Sequence, residues 1–199
     1  MEFVLAGEKL QRCRTAFLAE VEEVQNILLA GEGHGRCLRE CCDRFKNARI
    51  TCIDASQRML IQARRGLEIE DFEVNRIEFV RANLLDWTPR PVSYDLIVTN
   101  FFLDCFSRDE LERVICRLAA SGTSKANWLL ADFQMAASGI KKIRSRLILW
   151  SMYLFFRTVT RLPAKNLTSP EPFLKQTGFR LHQRAEAEWG LLHSDWWRR

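Results

Sequence analysis

Histidine is scarce in this sequence. Only three, His34, His182 and His193, are scattered over 199 residues, which gives no ligand cluster of the spacing a structural metal uses, although ligands distant in sequence can converge. No metal is expected. Paired cysteines are missing too: the seven, at 13, 37, 41, 42, 52, 105 and 116, are an odd number without a Cys-x-x-Cys pair. Most fall inside expected strands and helices, so they read as reduced, core-filling thiols of a cytoplasmic protein. The opening "MEFVLAGEKLQRCR" sets Glu2 and Glu8 around a very short apolar patch and lacks the basic flank and long apolar centre of a signal peptide. Export is not expected. The uncharged stretch between Arg146 and Arg157 is ten residues, half of the roughly 20 needed to cross a bilayer. There is no internal repeat, low-complexity tract or linker. With 47% hydrophobic and 28% charged residues, the composition is that of one ordinary globular domain.

Alternation is what the chain does have. "VQNILLA" (24–30), "RITCID" (49–54), "IEFVRA" (77–82), "YDLIVTN" (94–100) and "NWLLADF" (127–133) are short runs rich in Ile, Leu and Val, the pattern of strands buried on both faces. Between them, segments 36–47, 56–68 and 107–121 repeat apolar positions at three and four, and the last opens on Ser107 as a cap before Asp109 and Glu110. Strands alternating with helices predict a parallel sheet covered on both faces.

Directly after the first strand stands "AGEGHGRC", with Gly31, Gly33 and Gly35 at alternate positions. A strand-to-helix turn there needs positive φ and close backbone approach, and the helix start offers free N–H groups to a polar or anionic ligand. A purely packing role for the glycines is the alternative. The second strand ends on Asp54, about 20 residues after the loop, where a carboxylate in such a fold accepts bonds from a ribose diol; capping the helix that starts near Ser56 is the simpler role. Dinucleotide enzymes use Gly-x-Gly-x-x-Gly, which would place glycine at 36, and the residue there is Arg36.

The Gly-x-Gly-x-Gly spacing followed by Asp54 resembles the first motif of class I S-adenosylmethionine-dependent methyltransferases, and the resemblance runs from about residue 24 to the end. "ITCIDASQRMLIQAR" is similar to that family's second motif, "EFVRANLLDW" to its third, "YDLIVTNFFLDCF" to its fourth and "NWLLADF" to its fifth strand. "FLKQTGFRLHQRAEAEWGLLHSDWW" is similar to its terminal helix and closing hairpin. The resemblance implies a Rossmann-like α/β sandwich over residues 1–199: a mostly parallel seven-stranded sheet with an antiparallel last strand and helices on both faces. It implies S-adenosyl-L-methionine as cofactor, with Gly31, Glu32, Gly33, Gly35, Asp54, Ala55, Met59, Asn83, Leu84 and Asn100 as its contacts. Two positions depart from the family pattern. Asn83 stands where an acid is frequent, and its side-chain oxygen can still accept a bond from an adenine amine. Leu29 stands where an acid usually lies near the cofactor's ammonium; Glu32 or backbone carbonyls are left for that task.

Methyl transfer from a sulfonium is an in-line displacement with a good leaving group, so positioning supplies much of the acceleration, and a general base is needed only for a poorly nucleophilic acceptor such as a hydroxyl. Asp104, just after the fourth strand, and His193, in the final strand, are the candidates for orienting an acceptor or taking its proton; a cap or solvated loop residue is the alternative for Asp104.

Residues 134–165 carry seven Lys or Arg and no Asp or Glu, so they hold more positive charge than the chain's net +5 and leave the rest slightly acidic. Apolar residues at 140, 143, 147, 150 and 154, and again at 148, 152, 155, 159 and 162, make a broad stripe at helical spacing, which predicts one long or broken helix before Pro163. This insertion resembles the lid of quinone-type methyltransferases. Trp150, Tyr153, Phe155 and Phe156 would then shelter a small apolar or aromatic acceptor, while the basic residues rest on anionic membrane headgroups or an acidic substrate; plain packing over the sheet edge is the alternative. Three function classes follow: a small-molecule methyltransferase, an RNA or other nucleic-acid methyltransferase, and a non-enzymatic cofactor-binding or membrane-surface module. Nucleic acid is the weaker partner because "TNFF" lacks both prolines of the Asn-Pro-Pro-Tyr/Phe motif it distantly resembles, and no recognition domain is present.

Overall fold

A computed structural model describes residues 2–134 and 168–199. Seven strands form one sheet in the order β3-β2-β1-β4-β5-β7-β6: β1 (Asn26–Ala30), β2 (Arg49–Asp54), β3 (Ile77–Arg81), β4 (Tyr94–Asn100), β5 (Gly122–Phe133), β6 (Arg180–Ala187) and β7 (Leu192–Arg198). Strands β1 to β5 pair in parallel, and β7 lies antiparallel between β5 and β6. The helices are α1 (Glu2–Thr15), α2 (Arg36–Arg44), α3 (Gln57–Ile69), α4 (Arg108–Ser121) and α5 (Glu171–Gln176). The expected sandwich, with its single antiparallel strand, is the observed one.

Burial explains the apolar runs. Leu28 and Leu29 of β1, adjacent in sequence, point to opposite faces, and both are fully buried. Leu29 packs with Leu38, Cys41 and Phe45 of the α2 region and Leu60 of α3, whereas Leu28 packs with Leu111, Ile115 and Leu118 of α4. A central parallel strand therefore cannot alternate with polar residues, and each such side chain contributes about 1.5–3 kcal/mol by leaving water. Five of the seven cysteines are buried and all are free; Cys37 and Cys41 fill the layer between α2 and the sheet.

The ends of elements differ from the sequence expectation where neighbours decide. Segment 77–82 was expected to be buried on both faces, yet β3 is the sheet's outer strand, with Glu78 and Arg81 exposed. Strand β5 starts at Gly122, directly after α4 and five residues before the expected start at 127. Helix α1 was not anticipated. Ser107 does open α4, with its N–H (3.0 Å) and hydroxyl (2.7 Å) both donating to Glu110 Oε2. The expected helix before Pro163, the lid and its residues Trp150, Tyr153, Phe155 and Phe156 lie outside the described residues. Among the described residues no helix is long and apolar enough to cross a membrane.

Candidate functional site

β1 pairs with β2 on one side and β4 on the other, so the direction of strand order reverses around β1. In open α/β sheets that reversal leaves a crevice at the carboxyl ends of the strands. A surface groove lies elsewhere, on the amino-terminal rim, where Asp95, Asn26 and Arg49 line it. Asp95 there serves the fold: its Oδ2 accepts from the amides of Gln25 and Asn26, each at 3.1 Å. The glycine turn and Asp54 lie on the carboxyl rim.

There the three glycines adopt φ of 71°, 63° and 79°. They do different work. The Gly31 amide donates to Ile53 O over 2.9 Å, fastening the turn to β2, and a Cβ on Gly31 would stand 2.0 Å from the Phe102 ring. A Cβ on Gly35 would press on Ala63 of α3 at 2.8 Å. Gly33, at the tip of the turn, would meet nothing within 4 Å among the described residues. A side chain would have room there, and only the positive φ of Gly33 calls for glycine.

Asp54 closes this turn from below. Its Oδ2 accepts from the Gly33 amide (3.1 Å) and its Oδ1 from the Ser56 amide (2.8 Å). Ser56, not Asp54, caps α3: its hydroxyl accepts from the Met59 amide at 3.4 Å. An ionised carboxylate has about four acceptor positions, and two are used here, so one on each oxygen remains for a neighbouring pair of hydroxyls.

Glu32 has turned inward. Its Oε1 accepts from the amides of Cys37 (2.6 Å) and Leu38 (3.2 Å), capping α2. Burial raises its pKa to about 7, against the lowering effect of those amides and of Arg14. Leu29, where an acid was looked for, is fully buried core.

Next to β2, Ala55 is exposed and Met59 half-buried. Asn83 is exposed with its Oδ1 accepting from the Leu85 amide at 3.0 Å, and Leu84 is buried. Arg117 of α4 holds this loop by donating to Leu84 O (3.1 Å) and Leu85 O. The Ala82 amide donates to Asp54 O at 3.2 Å, which keeps this loop beside the end of β2.

After β4 the backbone is strained: Phe101 takes φ 52°, a region that costs an ordinary residue about 1–3 kcal/mol. Asn100 just before it is buried, and its Oδ1 accepts from the Ala131 amide at 3.1 Å. The Arg14 guanidinium of α1 lies over the Phe101 ring, 4.9 Å from its centre.

Farther along the rim, β5 and β7 bring acids and a histidine together. Asp132 and His193 are cross-strand partners. Asp132 accepts from the amides of Asp104 (3.2 Å) and Phe133 (2.8 Å); burial, reinforced by the Asp104 charge, pushes its pKa well up. Asp104 is likewise raised by burial. Asp195 lies 3.1 Å from His193 Nδ1 and binds Arg184 through two bonds of 2.7 and 2.6 Å. Burial alone would raise Asp195, but Arg184 and His193 outweigh it and its pKa is lowered. A cavity of about 280 Å³ opens beside this cluster, lined by Asp132, Gln134, Ser169, Glu171, Arg184 and His193.

The structure thus gathers Gly31, Gly33, Gly35, Asp54 and Asn100 on one rim, with Asp104 and His193 farther along it. Sequence reasoning did not single out Arg14, Phe102, Asp132, Asp195 or Arg184. Asp132 and Asp195 did leave a signal, each a lone acid inside an apolar strand. Among the described residues, no group of three His, Cys, Asp or Glu could hold a metal ion.

Residues 27–122, just under half the chain, match the sequence profile of a methyltransferase domain. No curated protein sequence matches. The fold is similar to that of the mitomycin 7-O-methyltransferase MmcR (TM-score 0.71, 17% identity), covering 98% of this chain and 54% of that one. It is similar also to an S-adenosylmethionine-dependent methyltransferase from Mesorhizobium loti (0.71, 16%), covering 96% of this chain and 100% of that one. A third is phosphoethanolamine N-methyltransferase 2 from Haemonchus contortus, solved with S-adenosyl-L-methionine (0.65, 18%; 87% of this chain, 38% of that one). The chain spans about half the length of MmcR.

Proposed function

We propose, for a chain with the class I S-adenosylmethionine-dependent methyltransferase fold and a matching methyltransferase-domain profile, that residues 1–199 form a methyltransferase domain acting on a small apolar or aromatic acceptor. The observation that carries this reading is the link between the Gly33 amide and Asp54 at the strand-order reversal. It sets a carboxylate with spare acceptor positions beside the glycine turn, which fits a ribose. Asn83, Leu84, Ala55 and Met59 would flank the adenine. S-adenosyl-L-methionine, when bound, supplies an electrophilic methyl group on a sulfonium.

This chain's residues then have to hold an acceptor in line and, for a hydroxyl, remove its proton. His193 is suited to the second task. Asp195 fixes its Nδ1, which leaves Nε2 as the ring nitrogen with no partner among the described residues, beside the cavity it lines. Asp104 would help orient the acceptor at the same end of β5. The lid, with Trp150, Tyr153, Phe155 and Phe156, would shelter an apolar acceptor, and its basic residues would allow peripheral contact with an anionic membrane surface. MmcR, by its name, methylates a small molecule at oxygen, which favours this acceptor class over RNA.

The test is transfer of a labelled methyl group from S-adenosyl-L-methionine to a panel of apolar phenols and quinols, with total RNA in parallel. Labelling of a small organic acceptor supports the proposal. Labelling confined to RNA would replace it, and no transfer to any fraction would favour a non-enzymatic module.

A further inference from the structure

Arg14 has no evident reason to be where it is. It stands on the last turn of α1, a helix whose Cys13 packs on Ala131 and Leu192 beneath it and whose Gln11 donates to Arg36 O (3.2 Å) and Glu40 Oε1 (3.2 Å) across the start of α2. The guanidinium is thereby carried to the carboxyl rim and laid over Phe101. Its Nη1 is buried and has no hydrogen-bond partner among the described residues. Buried donors almost always have partners, and a cationic one left bare carries a large desolvation cost. Glu32 is the carboxylate whose charge it feels most, yet Glu32 is spent on the amides of Cys37 and Leu38 and is itself raised to about 7 by burial. The charge of Arg14 is only partly balanced.

A second bare donor lies next to it in the chain of contacts. Asn100, immediately before Phe101, uses Oδ1 on the Ala131 amide, while its Nδ2 is buried without a partner among the described residues. Phe101, between Asn100 and Arg14, is held at positive φ. Two buried donors without partners among the described residues thus flank Phe101, one by ring contact and one by sequence, and a guanidinium donor selects an anionic acceptor. A planar fork of this kind pairs best with a carboxylate or phosphate.

We propose that Arg14, assisted by Asn100 Nδ2, binds the carboxylate at the amino-acid end of the cofactor. The inference rests on the reading that the neighbouring glycine turn and Asp54 hold S-adenosylmethionine. The nucleoside end belongs to Asp54, and the amino-acid end is anchored through its negative group by α1.

Two probes separate the ends: S-adenosylhomocysteine, which has the carboxylate, and methylthioadenosine, which has the same nucleoside and no amino acid. Calorimetry on Arg14→Met, which keeps an apolar stem over Phe101, should show S-adenosylhomocysteine affinity reduced about tenfold or more and methylthioadenosine affinity unchanged. Arg14→Lys, which keeps the charge without the fork, should fall between. Equal loss for both ligands would mean that Arg14 only packs α1 against the rim, and undiminished affinity for both would place the carboxylate elsewhere; either result overturns the proposal. A wild-type chain that binds neither ligand would overturn the cofactor reading beneath it.

Discussion

The amide of Gly33 donates to Asp54 Oδ2 over 3.1 Å, so the tip of the glycine turn and the end of the second strand form one rigid corner. A ligand seated on the glycine turn also meets the carboxylate. Removing Asp54 therefore acts on ligand and loop together.

Asp54→Ala should weaken S-adenosylhomocysteine binding by about 1.5–3 kcal/mol, the worth of hydrogen bonds to a charged group. Calorimetry checks it, with circular dichroism to verify the fold. Unchanged affinity in a folded variant would move the ribose site away from this corner.

Gly31→Ala tests close approach. The new Cβ would stand 2.0 Å from Phe102 Cδ2, and the strain should cost about 1–3 kcal/mol in chemical denaturation. Combining it with Phe102→Ala should cost less than the two single changes added together, because the second removes what the first strikes. Strict additivity would show that positive φ at residue 31, not Phe102, is what excludes a side chain.

Glu32 links stability to pH. Burial lifts its folded pKa from 4.5 to about 7, so the folded chain keeps a proton that the unfolded chain gives up. Stability should fall as pH rises through about 4.5 to 7 and level off above. Glu32→Gln keeps an oxygen for the amides of Cys37 and Leu38 and has no proton to lose. The variant should exceed the wild type by about 1–3 kcal/mol at pH 8 and approach it near pH 4, measured by urea unfolding at each pH. Parallel curves for the two proteins would remove Glu32 from the linkage.

Most of the sheet could be read from the sequence because a parallel strand covered on both faces has to be an apolar run, as Leu28 and Leu29 show. The glycine turn was legible because its φ values leave glycine as the natural choice. What escaped depends on partners far away in the chain. Helix α1 shows little apolar periodicity and is placed by contacts such as the Ser194 hydroxyl donating to Cys13 O at 2.8 Å. Arg14 matters only because α1 lands on the rim, and Arg184 only because β6 lies beside Asp195. The start of β5, "GTSKA", is polar at residues 123–125 and reads as a loop until Gly122 is seen opposite Tyr94. Glu32, a candidate partner for a cofactor's ammonium, has its Oε1 on the amides that open α2, a tertiary contact that no local pattern records.

Trp150→Ala and Phe155→Ala test the lid. If these residues shelter the acceptor, methylation should drop at least tenfold with cofactor affinity and thermal stability nearly intact. Loss of about 3 kcal/mol or more of stability would instead mark them as packed core. Full turnover with full stability would contradict a lid role.

The central claim is that the carboxyl rim around Gly33 and Asp54 holds S-adenosylmethionine. Calorimetric titration of the wild-type chain with S-adenosylhomocysteine and, separately, with nicotinamide adenine dinucleotide tests it most directly. Saturable binding of S-adenosylhomocysteine at one site per chain, with little or no heat from the dinucleotide, is the predicted result. A clear preference for the dinucleotide, or no binding of S-adenosylhomocysteine, would contradict it.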